Sequence, residues 1–206
     1  MGIFENSIFE GRNGAISTRL WIEWIHEGSL PAKTYDEKNK NVLIGSISRH
    51  CVKCLNLNGC YFPLHKMPEQ PLHLHCHCDK RFIDKPIAGV SAKSDLPIQK
   101  LTKYAFVDEG KKGFFESNGY YIKDAEQMQS AIEKQAIEKY CAGEFQLGGL
   151  TEHGQRITIL VELQSETGEV LTFLTGWMVF PDGTIVNTTP MASADRKKIE
   201  KFKESM

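Results

Sequence analysis

The sequence predicts an α+β protein with a small cysteine-rich N-terminal module and a C-terminal domain of helices followed by a three-stranded antiparallel meander. Five of the six cysteines and five of the seven histidines lie within residues 49–81. Residues 124–142 repeat apolar side chains at helical spacing, and residues 156–189 alternate apolar and polar side chains, as half-buried strands do. Helices that precede the strands, rather than alternate with them, are typical of the α+β class.

The composition is that of an ordinary globular protein. The 206 residues can form one full domain, or a small domain beside a medium one. A net charge of −1 gives no global attraction to nucleic acid or anionic membrane, so any basic site would be local. No apolar run approaches the roughly 20 residues that span a bilayer, and residues 1–14 lack the pattern of a secretory signal. We therefore expect a cytoplasmic protein without membrane contact, whose cysteines are reduced or metal-bound.

The first module is predicted to span residues 1–82. A helix is expected over residues 19–27, because apolar residues form a one-sided stripe there and Gly28 follows. Its tryptophans, Trp21 and Trp24, fit a buried packing face better than an exposed binding platform. Residues 35–41 are predicted to be a solvated loop, and residues 42–47 a short strand that leads into the cysteines.

The cysteine–histidine cluster predicts a zinc-binding module. Cys51 and Cys54 form a C-x-x-C pair, which lets both sulfurs point at one ion. A second pair of soft ligands follows about twenty residues later and would complete a tetrahedral site. That pair comes from His73, Cys76 and Cys78, with His75 and His77 as weaker candidates.

A closed, structural zinc site is favoured over two alternatives. A disulfide network is the weaker interpretation, because no export signal is evident. A catalytic zinc needs an open position and a nearby base, and nothing in the sequence places Glu69 or Asp79 there. Cys60 and Cys141 are expected to be small buried residues outside the site.

The same stretch resembles the end signature of phage head morphogenesis proteins, the Mu protein F-like minor head group. The resemblance covers about residues 49–82. The matching positions are Cys51, Cys54, Asn58-Gly59, Tyr61-Phe62, Pro71, His73, Cys76 and Cys78. It implies a zinc-binding module, and it makes a phage structural protein a candidate partner.

Residues 83–97 carry prolines and small polar residues and are predicted to be a linker. The second domain, residues 98–190, is expected to begin with a helix over 99–106, followed by a cationic turn at 110–113. A long helix is predicted from Asp124, with Gln127 completing a capping box and Gly143 ending it. Strands are predicted over 156–163, 170–180 and 184–189, before a charged tail at 191–206 that is either a helix or disordered.

Residues 100–190 resemble an uncharacterised domain found at the C-terminal tips of bacterial polymorphic and contact-dependent toxins. The matching stretches are KLTKYAF, GKKGFFESNGY, GQRITILVEL and LTGW. Helices followed by a curved meander also suit the architecture of metal-independent ribonuclease toxins. That second step is an analogy at the level of the fold alone.

Ribonuclease chemistry without metal needs phosphate contacts and an acid or base. Lys112, or Lys111, and Arg156 are candidate phosphate contacts, and His153 is the candidate acid or base. Thr175 could position a hydroxyl group, and Trp177 could stack on a base. Each residue also has an ordinary structural role available, because no motif of fixed spacing links them.

Three hypotheses follow for the whole chain. The first is a bacterial or phage-associated toxin-like protein with structural Zn²⁺ and a C-terminal ribonuclease domain, whose partners would be RNA and an immunity protein. The second is a non-enzymatic phage head morphogenesis or adaptor protein. The third is a partner-binding domain of the immunity or inhibitor kind.

Overall fold

A computed structural model of the chain describes residues 21–26, 34–36, 41–43, 52–70, 76, 78–83, 93–151, 153–165, 168–180 and 184–206. The strands are β1 (Trp21–His26), β2 (Thr34–Asp36), β3 (Asn41–Leu43), β4 (Tyr61–Pro63), β5 (Cys78–Ile83), β6 (Lys93–Asp95), β7 (Gln146–Thr151), β8 (Gly154–Gln164), β9 (Val170–Val179) and β10 (Thr184–Ser193). The α-helices are α1 (Val52–Leu57), α2 (Glu109–Ser117), α3 (Ala125–Ala142) and α4 (Arg196–Glu204). Shorter helical turns are Leu64–Lys66, Leu101–Ala105 and Ile122–Asp124. This content confirms the α+β class.

The strands form a three-stranded sheet of order β4-β1-β5, a five-stranded sheet of order β6-β10-β9-β8-β7, and the β2-β3 pair. The predicted meander is β8-β9-β10, which is antiparallel throughout. The sequence analysis missed both outer strands of this sheet. β7 has a bulge at its glycines, and β6 is only three residues long and pairs parallel to β10.

The predicted helix over residues 19–27 is wrong, because Trp21–His26 is the central strand of the three-stranded sheet, called the smaller sheet below. Trp21 and Ile22 are adjacent and both fully buried, so both faces of the strand are covered. Such a strand lacks the polar–apolar alternation that would have identified it, and a short apolar run has no decisive period. Likewise, part of the predicted loop at 35–41 lies in β2 and β3, and residues 44–47 of the predicted strand lie outside the described residues.

The long helix is confirmed as α3, but its predicted capping box is wrong. The Asp124 carboxylate accepts a 2.9 Å hydrogen bond from the Tyr121 backbone N–H and does not cap α3. Gly143 ends the helix in the left-handed conformation, with φ of 77°. The buried stripe consists of Ala125, Met128, Ile132, Ala136 and Tyr140.

The predicted turn at 110–113 is also wrong, because these residues lie inside α2. Asp108 caps this helix by accepting a 3.0 Å hydrogen bond from the Lys111 backbone N–H. A carboxylate at the N-cap satisfies a free N–H of the first turn, and together with the burial of Phe115 it offsets the low helix propensity of the two glycines. Phe115 of α2 packs edge-on against Phe173 of β9.

The two faces of the five-stranded sheet differ. The inner face, which packs on α2 and α3, carries Ile157, Ile159, Val161 and Leu163 of β8. On the opposite, outer face, Leu160 and Leu174 pack against Phe202 of α4. The tail at 191–206 is therefore ordered, as the last part of β10 followed by a helix.

The end of the predicted linker is part of the fold. The Leu96 backbone donates to Glu133 of α3 at 2.6 Å and accepts from Gln129 at 2.6 Å, and Leu96 is fully buried. Residues 93–95 form β6, and residues 84–92 lie outside the described residues. The predicted linker is thus wrong over residues 93–97.

One hydrophobic core contains residues from both predicted domains. It runs from Trp21 and Ile22 of the smaller sheet to Tyr140 of α3 and Trp177 of β9. The Trp21 and Tyr140 rings meet edge-on, with centroids 5.6 Å apart. The domain boundaries proposed from the sequence therefore do not correspond to separate cores. None of the helices described is both long and apolar enough to cross a membrane.

Candidate functional site

The side chains of Cys54, Cys76 and Cys78 meet beside the smaller sheet. Cys54 lies in α1, Cys76 two residues before β5, and Cys78 is the first residue of β5. Their sulfurs all lie within 4.8 Å of one another, with 3.8 Å between those of Cys54 and Cys76. These three residues, called the thiol cluster below, are close enough together to hold a metal ion. The other predicted ligands, Cys51, His73, His75 and His77, lie outside the described residues.

Main-chain pairing with β1 positions the cluster. Cys78 pairs with His26 in the β1–β5 ladder. The turn that follows α1 is held by the Gly59 N–H, which donates to the Trp24 carbonyl at 2.8 Å. The side-chain amide of Gln70 donates to the Cys78 carbonyl. The strand β1 is therefore bonded both to the turn after α1 and to β5. It holds the helix that carries Cys54 and the strand that carries Cys78 in a fixed relation.

Burial disfavours charge in the cluster when no cation is bound. Cys54 is fully buried, and its burial, followed by the neighbouring thiols of Cys78 and Cys76, raises its pKa far above the ordinary value. Burial also raises the pKa of Cys78. Thiolate is the form that binds metal, and a divalent cation among the sulfurs would compensate for the cost of burying that charge.

The indole N–H of Trp24 is a neighbouring donor that the sequence analysis did not assign. It is buried and makes no hydrogen bond of ordinary geometry. It nevertheless lowers the pKa of the Cys78 thiol, in opposition to burial, so it lies near that sulfur. A buried donor near a sulfur favours the thiolate, and hydrogen bonds to metal ligands orient them and tune the site.

The arrangement fits a metal better than a disulfide. A disulfide joins two sulfurs about 2.05 Å apart and would leave the third thiol of the cluster buried beside it. No disulfide joins any two of the described cysteines, Cys54, Cys60, Cys76, Cys78 and Cys141. Cys60 is buried, as expected, and its thiol donates to the Asn56 carbonyl at 3.3 Å. Cys141 is half-buried and does not belong to the cluster.

Thr175 does not reach solvent. Its side chain is fully buried, donates to the Ile159 carbonyl at 2.9 Å and accepts from the Trp177 indole at 2.8 Å. Trp177 is fully buried as well, so it offers no face for stacking on a base. Both residues act in the core, in agreement with the ordinary roles that their strand positions allow.

Lys111 and Lys112 lie on α2, on the inner side of the sheet. The Lys111 ammonium lies 4.4 Å above the Tyr104 ring and 3.5 Å from the Asp108 carboxylate. Lys112 is exposed, with its ammonium 3.8 Å from the Glu116 carboxylate. Both cations therefore have local partners and lie across the sheet from Arg156.

Arg156 and His153 lie near the start of β8 and are exposed. The backbone N–H of His153 donates to the Thr151 hydroxyl in the turn that precedes the strand. Arg156 lines an outer-face cavity of about 350 Å³ together with Thr158, Thr188 and Gly176. The four predicted catalytic residues are thus not assembled into one site. Only His153 and Arg156 share an end of the sheet.

Comparisons with family models, with curated proteins and with solved structures found no match to this chain. The resemblances to phage head morphogenesis proteins and to toxin tips therefore stay predictions.

Proposed function

We propose that the thiol cluster, with one further ligand, binds Zn²⁺ as a structural ion. The observation that carries this proposal is the meeting of three sulfurs within 4.8 Å, those of the buried Cys54 and Cys78 and the half-buried Cys76. The fourth ligand would be Cys51 or His73, both of which belong to the sequence-predicted set. Sulfur donors with one more sulfur or imidazole nitrogen are the usual donor set of a structural zinc site.

The donor chemistry supports zinc over the hard cations. Ca²⁺ and Mg²⁺ prefer oxygen ligands, whereas thiolates select softer metals, and a tetrahedral sulfur-rich set suits zinc. The cluster contains no carboxylate among the described residues, and both Glu69 and Asp79 are exposed. A site filled by protein ligands has no open position for water, so its role would be to stabilise the fold.

The proposed ion would join α1 to the start of β5. Cys54 belongs to the helix and Cys78 to the strand, and the two meet beside the fully buried Trp24 of β1. Because the ligands come from separate elements, the free energy of binding the ion would add to the stability of the folded state. Its loss would first release the α1–β5 contact.

The test combines metal content with thermal unfolding of Cys54→Ser and Cys78→Ser, with Cys141→Ser as the matched control. We expect about one zinc per chain in the wild type and the control, and loss of zinc with a lower Tm in the two cluster variants. A strong chelator should lower the Tm of the wild type to that of the cluster variants. Zinc retained by both cluster variants would contradict the proposal.

A toxin-like, metal-independent ribonuclease is the second proposal, and the exposed Arg156 favours it. Arg156 lies in a cavity lined with threonines and glycines and has no ion pair among the described residues. A guanidinium with free donors beside hydroxyl groups suits a phosphodiester. His153, near the same end of the strand, remains the candidate acid or base.

Bacterial growth and RNA integrity test this proposal when the full chain is expressed. The ribonuclease proposal predicts growth arrest with degraded RNA, relieved by Arg156→Ala, with Lys112→Ala showing whether the α2 lysine contributes. Arg196→Ala is the control, because Arg196 is exposed on α4 and paired with Glu200 at 3.1 Å. Normal growth with intact RNA would favour the non-enzymatic proposals, a phage head or adaptor protein or an immunity-like binding domain.

A further inference from the structure

Two adjoining cavities on the outer face of the five-stranded sheet form a groove beside α4. The first, of about 350 Å³, contains Arg156, and the second, of about 330 Å³, contains Lys198 and Lys201 of α4. Thr158 lines both cavities, so the two are neighbours on this face. We refer to the two cavities together as the outer-face groove.

The charges of the groove are unbalanced. Its walls carry three cations, Arg156, Lys198 and Lys201, and no aspartate or glutamate among the residues that the structure describes. None of the three cationic side chains makes an ion pair within that part of the chain. In a chain whose net charge is −1, this is a local concentration of positive charge, and its natural ligand is an anion.

Hydroxyl groups and glycines complete the walls. The hydroxyl groups belong to Thr158, Thr188, Thr189 and Ser193. The Lys100 ammonium donates to the carbonyls of Asn187 and Thr188 at 2.6 Å and 3.0 Å, and so fixes the backbone at the bulge of β10. A Cβ on Gly176 would lie 3.1 Å from the Thr188 hydroxyl, so glycine allows this hydroxyl group to lie close to β9.

The dimensions indicate a chain of small anionic units. Each cavity is at the small end of the ~300–1,000 Å³ range of ligand pockets, too small for a duplex. Arg156 and Thr158 are two positions apart on one face of β8, so their side chains are about 6.6 Å apart along the strand. An arginine fork and hydroxyl donors suit the oxygens of a phosphodiester chain, and competition with an acidic peptide tests the alternative anion.

We infer that the outer-face groove binds the phosphodiester backbone of a single-stranded nucleic acid, with Arg156 at one end and Lys198 and Lys201 at the other. For its substrate class this inference rests on the ribonuclease proposal, but binding requires no cleavage. It assigns a role to the lysines of α4, which the sequence placed in a charged tail without a function. Positive grooves that follow the backbone are a general mode of single-strand binding.

Fluorescence anisotropy with a labelled oligonucleotide of about 10 nucleotides, within the ~4–16 nucleotide range of such sites, tests the inference. RNA and DNA of one sequence form separate arms, and poly-glutamate of similar length is the competitor. Three phosphate contacts predict a slope of about −2 for the logarithm of the association constant against the logarithm of the salt concentration. This slope corresponds to an affinity loss of about 16-fold between ~50 and ~200 mM salt. Binding in either nucleic-acid arm supports the inference.

The triple variant Arg156→Ala, Lys198→Ala, Lys201→Ala should lose at least about 10-fold in affinity and most of the salt slope. The single variant Lys201→Ala should weaken binding, whereas Arg196→Ala, which removes the same single charge from the far side of α4, should change neither quantity. Equal weakening by Arg196→Ala and Lys201→Ala, equal competition by poly-glutamate, or absence of binding at low salt would overturn the inference. Binding without cleavage would keep the groove and remove the ribonuclease proposal. Cleavage that survives in the double variant Lys198→Ala, Lys201→Ala, in which Arg156 is intact, would do the reverse.

Discussion

The hydroxyl group of Tyr140 in α3 donates a 2.7 Å hydrogen bond to the main-chain oxygen of Tyr61 in β4. The two residues are 79 positions apart, on either side of the predicted linker. Tyr140 is fully buried, and its ring also meets Trp21 and Phe145, with centroids 5.6 Å and 5.5 Å away. This side chain therefore connects the smaller sheet to the long helix. Its substitution tests whether the two unfold together.

Tyr140→Phe should lower the free energy of unfolding by about 1 kcal/mol, because it removes one buried hydrogen bond and keeps the ring. A single cooperative urea transition, shifted as a whole, should accompany the loss. Two separate transitions in the wild type would indicate independent domains and would contradict the continuous core.

The same residue gives a pH dependence. Burial raises the pKa of Tyr140 well above its ordinary value of 10.0. A group whose pKa is raised in the folded state contributes stability below its unfolded pKa and loses that contribution as the pH rises. Wild-type stability should therefore fall above about pH 10, and the fall should be smaller in Tyr140→Phe. Identical alkaline unfolding curves would show that Tyr140 does not carry this dependence.

Gly143→Ala should destabilise the protein by about 1–2 kcal/mol, the cost of a left-handed backbone for a residue with a Cβ. Gly143 has φ of 77°, and its added Cβ would also lie 3.2 Å from Pro63 Cγ. Gly113→Ala is the matched control, since it lies inside α2 with nothing within 4 Å of the added Cβ. It should stabilise by about 0.5–1 kcal/mol, and thermal unfolding of both variants measures the contrast.

Trp24→Phe should weaken zinc binding by about 10-fold or more, because it removes the indole donor that faces Cys78. Trp21→Phe is the control. Trp21 is equally buried on the same strand, but it packs against Tyr140. Competition with a chromophoric chelator measures both affinities. Equal affinity in the two variants would show that Trp24 contributes only packing.

Thr175→Val should cost about 1–3 kcal/mol, because the Trp177 indole and the Ile159 carbonyl would lose a buried partner. Thr172→Val, at a half-buried position on the same strand, should stay within about 0.5 kcal/mol of the wild type. Urea unfolding measures both changes. If Thr175→Val instead left stability unchanged and abolished an activity, the catalytic role first assigned to Thr175 would be restored.

The predicted elements are confirmed where one hydrophobic period, helical or alternating, extends over many residues. The long stripe of α3 and the alternation of β8 span many residues, so local pattern and tertiary packing agree there. Prediction failed where burial is two-sided or an element is short. β1 is covered on both faces, and β6 has only three residues, followed by Leu96, which Glu133 and Gln129 of a distant helix hold in place.

The cysteine ligands of the candidate site were predictable from the sequence, but the residues around them were not. Ligand chemistry and spacing identified Cys54, Cys76 and Cys78 without knowledge of the fold. The contribution of Trp24 could not be predicted, because it depends on the pairing of β1 with β5. The groove was missed for the same reason: Arg156 and Lys201 lie 45 positions apart, and only the packing of Phe202 against the outer face brings them together.

Zinc K-edge X-ray absorption of the purified full chain tests the central claim most directly. A structural zinc at the thiol cluster predicts about one zinc per chain with at least three sulfur ligands at about 2.3 Å and a fourth sulfur or nitrogen. A shell of oxygen and nitrogen without sulfur, or a metal-free protein with Cys54 and Cys76 joined in a disulfide, would contradict it.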